Sequence, residues 1–167
     1  MMELVQKGDE FSGAVFSSCE KYRYALWRSF GSLFDEPTSD FVVIGLNPST
    51  ATESLDDPTI RRCIGFAKRF GCTRYVMLNA YGFRATDPRD MMRADNPIGA
   101  HNDSVIAEYV NKARHVVAAW GVHCEQSRAN RIAEIVGARL ECFGLNSGGS
   151  PKHPLYLRAD SALVRWK

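Results

Sequence analysis

"FVVIGLNPST", residues 41–50, runs an apolar segment straight into a Gly, an Asn, a Pro and two hydroxyls. Such a run reads as a strand buried on both faces. A strand that only had to turn needs no more than a Gly or a Pro. Two readings are therefore open. Either Asn47 sits at a strand's carboxyl end because something binds there, or Asn47-Pro48 is a helix-entry turn.

On its C-terminal side follows "ATESLDDPTIRRCIGFAKRFG". Asp57 is placed to cap a helix, Pro58 to occupy its first position and Gly71 to end it. Ile60, Cys63, Ile64, Ala67 and Phe70 recur at helical spacing, leaving Arg61, Arg62, Lys68 and Arg69 outside. "RYVMLNAY" (74–81) is a second strand. The loop "GFRATDPRDMMRADNPIGAHND" leads to a helix carrying Val105, Ile106, Tyr109 and Val110. "HVVAAWG" is a third strand, "EQSRANRIAEIVGA" an amphipathic helix and "RLECFGLN" a fourth strand, and "SGGSPKHPLYL" closes the pattern. On the N-terminal side, "EPTSD" is a polar turn. "YRYALWRSFG" alternates apolar with basic residues, as a half-exposed strand near a sheet edge does. Strand and helix alternate without repeat or linker. The pattern predicts one α/β domain over 1–167, a three-layer αβα sandwich around a mainly parallel four-stranded central sheet.

Composition narrows the function. With 45% hydrophobic and 24% charged residues, the chain belongs with globular proteins rather than disordered ones. No apolar run is long enough to span a membrane, and no charged start leads into an apolar stretch, so a cytoplasmic protein is expected. A net charge of +2 does not by itself imply a nucleic-acid partner. Cys19, Cys63, Cys72, Cys124 and Cys142 are dispersed without a C-x-x-C pair, and read as reduced thiols. His101, His115 and His123 lack paired ligand spacing, so no metal site is expected.

Ligands of parallel α/β sheets bind outside the carboxyl ends of the strands. Three polar clusters fall there: Asn47, the segment 79–84 and the segment 147–153. Turns alone do not require two Asn and a His on one rim, and this favours the site reading.

Those residues resemble a known group. "GLNPST" is similar to the water-positioning motif of uracil-DNA glycosylases, nearest the Gly-Ile-Asn-Pro form of the mismatch-specific branch. "VMLNAYGFR" resembles the strand whose Asn reads the base, "VVAAWG" their third strand, and "KHPLYL" the closing His-Pro loop. The pieces appear in the superfamily's order over roughly 41–157. The whole chain resembles more closely an uncharacterised bacterial and phage domain family worded "LNPSTA", "DPTIRRC", "RATDP" and "HPLYL", read as a divergent arm of that superfamily.

The resemblance implies cleavage of an N-glycosidic bond, in which the sugar becomes cationic and the departing base anionic. Asn47 would hold the water and His153 would donate to the base oxyanion, even when neutral. Asn79 would read the edge of a flipped pyrimidine, with Gly45, Pro48 and Ser49 shaping the pocket and Tyr81 or Phe83 stacking on the base. DNA would be held by Arg61, Arg62, Arg84 and Lys152 and by the backbone of Ser147 and Gly148, with Leu155 or Tyr156 as the wedge. Each has a plainer alternative: Asn79 as a loop cap, His153 as a bond to the Gly-rich loop, the arginines as a solvated helix face. Asp57 is fully accounted for as a cap.

Two departures matter. Where strong uracil enzymes carry an Asp and a bulky aromatic, this chain has Asn47 with Ser49 and Thr50. That implies slower chemistry or a better leaving group, and room at the pyrimidine 5-position. Leu155 also replaces the Ser that usually follows His-Pro. The expectation is a monofunctional, monomeric enzyme, without metal or organic cofactor, that flips out and excises a uracil-type or 5-modified pyrimidine, modified cytosine included, in base repair or in defence against modified phage DNA. Its alternatives are a non-catalytic nucleic-acid or nucleotide-binding module and a hydrolase of free nucleosides or nucleotides.

Overall fold

The computed structural model describes residues 3–31, 39–49 and 51–166. Thr50 and most of the turn expected at 36–40 lie outside them. The strands are β1 (Leu4–Gly8), β2 (Ser12–Ser17), β3 (Arg23–Ser29), β4 (Asp40–Gly45), β5 (Arg74–Asn79), β6 (His115–Ala118), β7 (Leu140–Cys142) and β8 (Val164–Arg165). The helices are α1 (Pro58–Arg69), α2 (Pro88–Met92), α3 (Asn102–Lys112) and α4 (Gln126–Val136).

All eight strands join one sheet in the order β1-β2-β3-β5-β4-β6-β7-β8. Its centre, β5-β4-β6-β7, is parallel, while β1, β2, β3 and β8 add antiparallel pairs at the two sides. The fold is thus mixed α/β, and the expected four-stranded, mainly parallel sheet is corrected to eight strands with antiparallel pairings in the majority. The reason lies in the first 29 residues. Gly8 adopts φ +96°, and the Asp9 carboxylate accepts from the Phe11 and Ser12 N–H groups at 2.9 Å each, turning β1 back onto β2.

The expectation for β3 is also corrected. It lies between β2 and β5, not near an edge, and six of its seven residues are buried. Its arginines enter the interior because backbone carbonyls await them. Arg23 Nη1 donates to the Ala51 carbonyl at 2.5 Å. Arg28 donates to the Thr52 carbonyl at 2.7 Å and to the Asp56 carboxylate at 2.7 Å. Alternation with basic residues here records anchoring of the 51–56 loop, not exposure.

Strand alternation sends successive side chains to opposite faces. Phe41, Val43, Tyr75, Met77 and Val117 meet Ile60, Cys63, Phe66 and Ala67 of α1. Val42, Ile44, Val76, Leu78 and Val116 meet α3 and α4 through Ile106, Val110, Ala129 and Ile132. Helices therefore cover both faces, and each fully buried aliphatic side chain contributes about 1.5–3 kcal/mol. The start of α1 is as read: Pro58 opens it, and Asp57 accepts from the Ile60 N–H at 2.8 Å.

Candidate functional site

Past their last residues, β4, β5 and β6 stay stitched together. The Ala80 N–H donates to the Gly45 carbonyl at 2.8 Å, Tyr81 N–H to Leu46 at 2.9 Å, and Ala119 N–H to Ile44 at 2.9 Å. Beyond these bonds the chain parts into loops and leaves a cleft of about 650 Å³ on the α1 side of the sheet. Gly45, Asn47, Ser49, Asp57, Arg23 and His153 are on its wall.

Asn47 is oriented by its amide nitrogen. Nδ2 donates to the carbonyls of Ala85 at 2.8 Å, Pro48 at 3.2 Å and Phe83 at 3.5 Å. Three carbonyls around one terminus identify it as the NH2 end. Oδ1 receives no donor among the described residues. The Ala85 N–H returns a bond to the Pro48 carbonyl at 3.0 Å, so the Asn-Pro segment clamps two loops together. One end of the Asn47 amide ties two loops together and the other remains an acceptor on the cleft wall, while no helix is entered at this turn, since α1 opens only at Pro58.

His153 caps the short 3-10 turn Pro154–Tyr156, its Nδ1 accepting from the Leu155 N–H at 3.2 Å. The proton of the neutral ring is then on Nε2, which makes that atom a donor. Burial pushes its pKa below the usual 6.5, opposed by the Asp57 charge. Arg62 holds this turn against α1 by donating to the Leu157 carbonyl.

Asn79 is fully buried, and neither its Oδ1 nor its Nδ2 has a partner among the described residues. It is no loop cap. A buried amide with both ends unmatched is costly and calls for an explanation. It stands in register with Gly45, which is on the cleft wall, but Asn79 itself does not line the cleft, because Met77 lies over the same spot. The backbone around it is secured separately, by Asn102 Nδ2 donating to the carbonyls of Asn79 and Ala80 at 3.0 Å each.

Two cleft residues escape a reading by motif. Arg23 is 2% exposed, its Nε has no partner among the described residues, and burial lowers its pKa to about 10. It remains a cation at neutral pH. Asp57 caps α1 through Oδ1, yet it also lines the cleft, and its charge acts on both Arg23 and His153. Capping does not account for it fully. The signal for Arg23 was a pair of arginines, Arg23 and Arg28, bracketing the apolar residues of β3.

Other expected residues are not on the cleft wall. Tyr81 belongs to the opposite face, packed in the α3–α4 core, with its hydroxyl accepting from the Glu125 N–H at 3.2 Å and burial raising its pKa to about 12. Phe83 stacks edge-on against Tyr22 at 5.7 Å. Neither is positioned to stack on a ligand in the cleft, because the chain leaving β5 turns both toward the other layer. Arg61 is exposed and donates to the Asp56 carbonyl, and Arg84 bonds the Glu20 carbonyl at 3.2 Å on the β2 side. Ser147 and Gly148 are exposed at the tip of a hairpin closed by the Leu145–Pro151 bridge. Leu155 is half-buried off the wall, whereas Lys152 lines the cleft and Tyr156, 88% exposed, stands at its mouth. Among the described residues no group of three or more His, Cys, Asp or Glu is placed to hold a metal ion, and no helix is long and apolar enough to cross a membrane.

Fold and cleft together define an α/β protein with a pocket at the carboxyl ends of its central parallel strands. Residues 23–155 match the family described as "Protein of unknown function (DUF1643)", and the chain belongs to that family. None of the curated proteins and none of the solved structures matches the chain.

Proposed function

We propose that this protein is a DNA glycosylase-like hydrolase, a divergent relative of the uracil-DNA glycosylases, that excises a uracil-type or 5-modified pyrimidine flipped into the cleft. The observation that carries this reading is Asn79. Its buried amide, covered by Met77 behind the cleft wall, offers a donor and an acceptor side by side with no partner among the described residues. The edge of a pyrimidine supplies the complementary pair.

The neighbouring groups suit the same reaction. The Asn47 Oδ1 is an acceptor for a water beneath the sugar, and the His153 Nε2–H is a donor for the oxygen of the departing base. Small Ser49 leaves space beside the Asn-Pro turn. Tyr156, an exposed ring on the cleft lining, suits the expected wedge that fills a vacated base position.

The test uses duplex and single-stranded oligonucleotides, each with one uracil, thymine or 5-substituted cytosine. After incubation, alkali cleaves wherever a base has been lost. Strand scission at the modified position is expected. Salt-sensitive binding without scission would favour a non-catalytic nucleic-acid module, and activity confined to mononucleotides a nucleoside hydrolase.

A further inference from the structure

We propose that Asp57 is the reacting carboxylate of this cleft, supplying from the start of α1 the acid group that the Asn-Pro motif lacks. The inference rests on the glycosidic reading above. An amide such as Asn47 can orient a water but cannot take its proton, so the hydrolysis needs a base from elsewhere in the pocket.

Asp57 meets the requirement by position. It is half-buried on the cleft wall with Asn47 and His153. Its Oδ1 accepts from the Ile60 N–H at 2.8 Å, which fixes the carboxylate, while Oδ2 has no donor among the described residues. A cap alone would explain an Asp at a helix start, but not a buried cation on the same cleft wall. Arg23 is buried in the same wall with an unpartnered Nε, and Asp57 is the carboxylate whose charge acts on it.

The step balances without any further reagent. As the water oxygen bonds to the sugar C1′, the bond from C1′ to the base nitrogen breaks and its electron pair leaves with the base. The Nε2–H of His153 is the donor for that anion, and the buried Arg23 cation of the same wall favours its charge. The water's proton passes to Asp57 Oδ2 and then to the departed base, restoring the carboxylate. The negative charge of Asp57 also favours the cationic sugar formed on the way.

Asp57→Asn separates the two roles, because Asn caps a helix as well as Asp does. The variant is expected to melt as the parent does and to release base about 10²-fold more slowly or worse. Its His153 ring, followed by NMR, is expected to titrate at lower pH, since a charge favouring the protonated ring is gone. Asp57→Ala should lose the cap as well and melt earlier. An Asp57→Asn protein that releases base at the parent rate would overturn the proposal and leave Asp57 as a cap. A parent protein that releases no base from any of the oligonucleotides overturns the glycosidic reading itself, and this inference with it. The two failures differ in whether the parent is active.

Discussion

Gly45 and Asn79 are partners across the parallel β4–β5 pair, and a Cβ on Gly45 would lie 3.2 Å from the Asn79 Oδ1 and 2.5 Å from the Met77 methyl. The missing side chain is the space that Met77 fills above the buried amide. Gly45→Ala must therefore push the flexible thioether aside and crowd Asn79. An overpacking cost of about 1–3 kcal/mol is expected in a denaturant melt, with a larger loss in single-turnover base release. Base release that is unaffected would show that the space over Gly45 takes no part.

Asn79 itself is testable because its side chain makes no internal hydrogen bond among the described residues. A structural Asn loses bonds when truncated; this one has none to lose. Asn79→Ala should cost no more than about 1 kcal/mol of stability, yet lose about 1–3 kcal/mol of discrimination between bases. Asn79→Asp would bury a carboxyl group, and desolvation would raise its pKa above the unfolded value. The variant should then be most stable in acid and lose stability as pH rises through that raised pKa. A base preference unmoved in both variants would make the residue structural.

For Asn47 two effects must be separated. Asn47→Ala removes the proposed water acceptor and also the ties from Nδ2 to the Ala85, Pro48 and Phe83 carbonyls. Turnover should fall about 10²-fold or more, with a stability loss of about 1–3 kcal/mol. Asn47→Asp sets a carboxylate oxygen against those three carbonyls. It should therefore destabilise the protein rather than accelerate it, despite the attraction of a carboxylate for a sugar cation. A faster, equally stable Asn47→Asp enzyme would contradict the assigned orientation of the amide.

Local signals carried most of the parallel centre. Continuous apolar runs gave β4, β5 and β6, and Asp57-Pro58 gave the start of α1, because strand burial and helix capping are decided by neighbours in sequence. The sheet's width was harder to read. β1 is mostly exposed and has no apolar face to betray it, and β3 carries arginines whose partners lie more than twenty residues away. The cleft was legible where the loop chemistry is local, at Asn47, Ser49 and His153. It was misread at Tyr81 and Phe83, since which layer a residue faces after a strand ends depends on the path of the loop. Arg23 and the cleft-facing role of Asp57 needed the third dimension.

Ser49 lines the cleft directly after the Asn-Pro turn, where a small hydroxyl leaves room for the proposed base. Ser49→Tyr would place a ring in that room. Plain uracil should still be released, while 5-substituted pyrimidines should be lost by a few kcal/mol, as about one misfitting group costs in a packed site. Rates on matched oligonucleotides with uracil, thymine and a bulky 5-modified cytosine make the comparison. A parent enzyme that already rejects every 5-substituted base would end the open-pocket argument.

His153 links stability to acidity with a definite sign. Burial depresses its pKa below 6.5, and the Nδ1 atom accepts from the Leu155 N–H, a bond available only to the neutral ring. Around and below 6.5 the unfolded chain binds more proton at this site than the folded one. The stabilising contribution is thus complete above the unfolded pKa and lost as pH falls through the folded value. Protonation also converts Nδ1 to a donor facing the Leu155 N–H, so it should loosen the Pro154–Tyr156 turn that carries Tyr156 to the cleft mouth. Melting temperature and base release should both decline in mild acid and be level near neutrality, where the Nε2–H is already in place. The measurement is a pair of profiles from about pH 5 to 8, for the parent and for His153→Gln. In the variant this part of the acid-side decline in melting temperature should vanish and base release should be low throughout. A variant that keeps the full decline would assign it to another group, and one that keeps the parent rate would remove His153 from the chemistry.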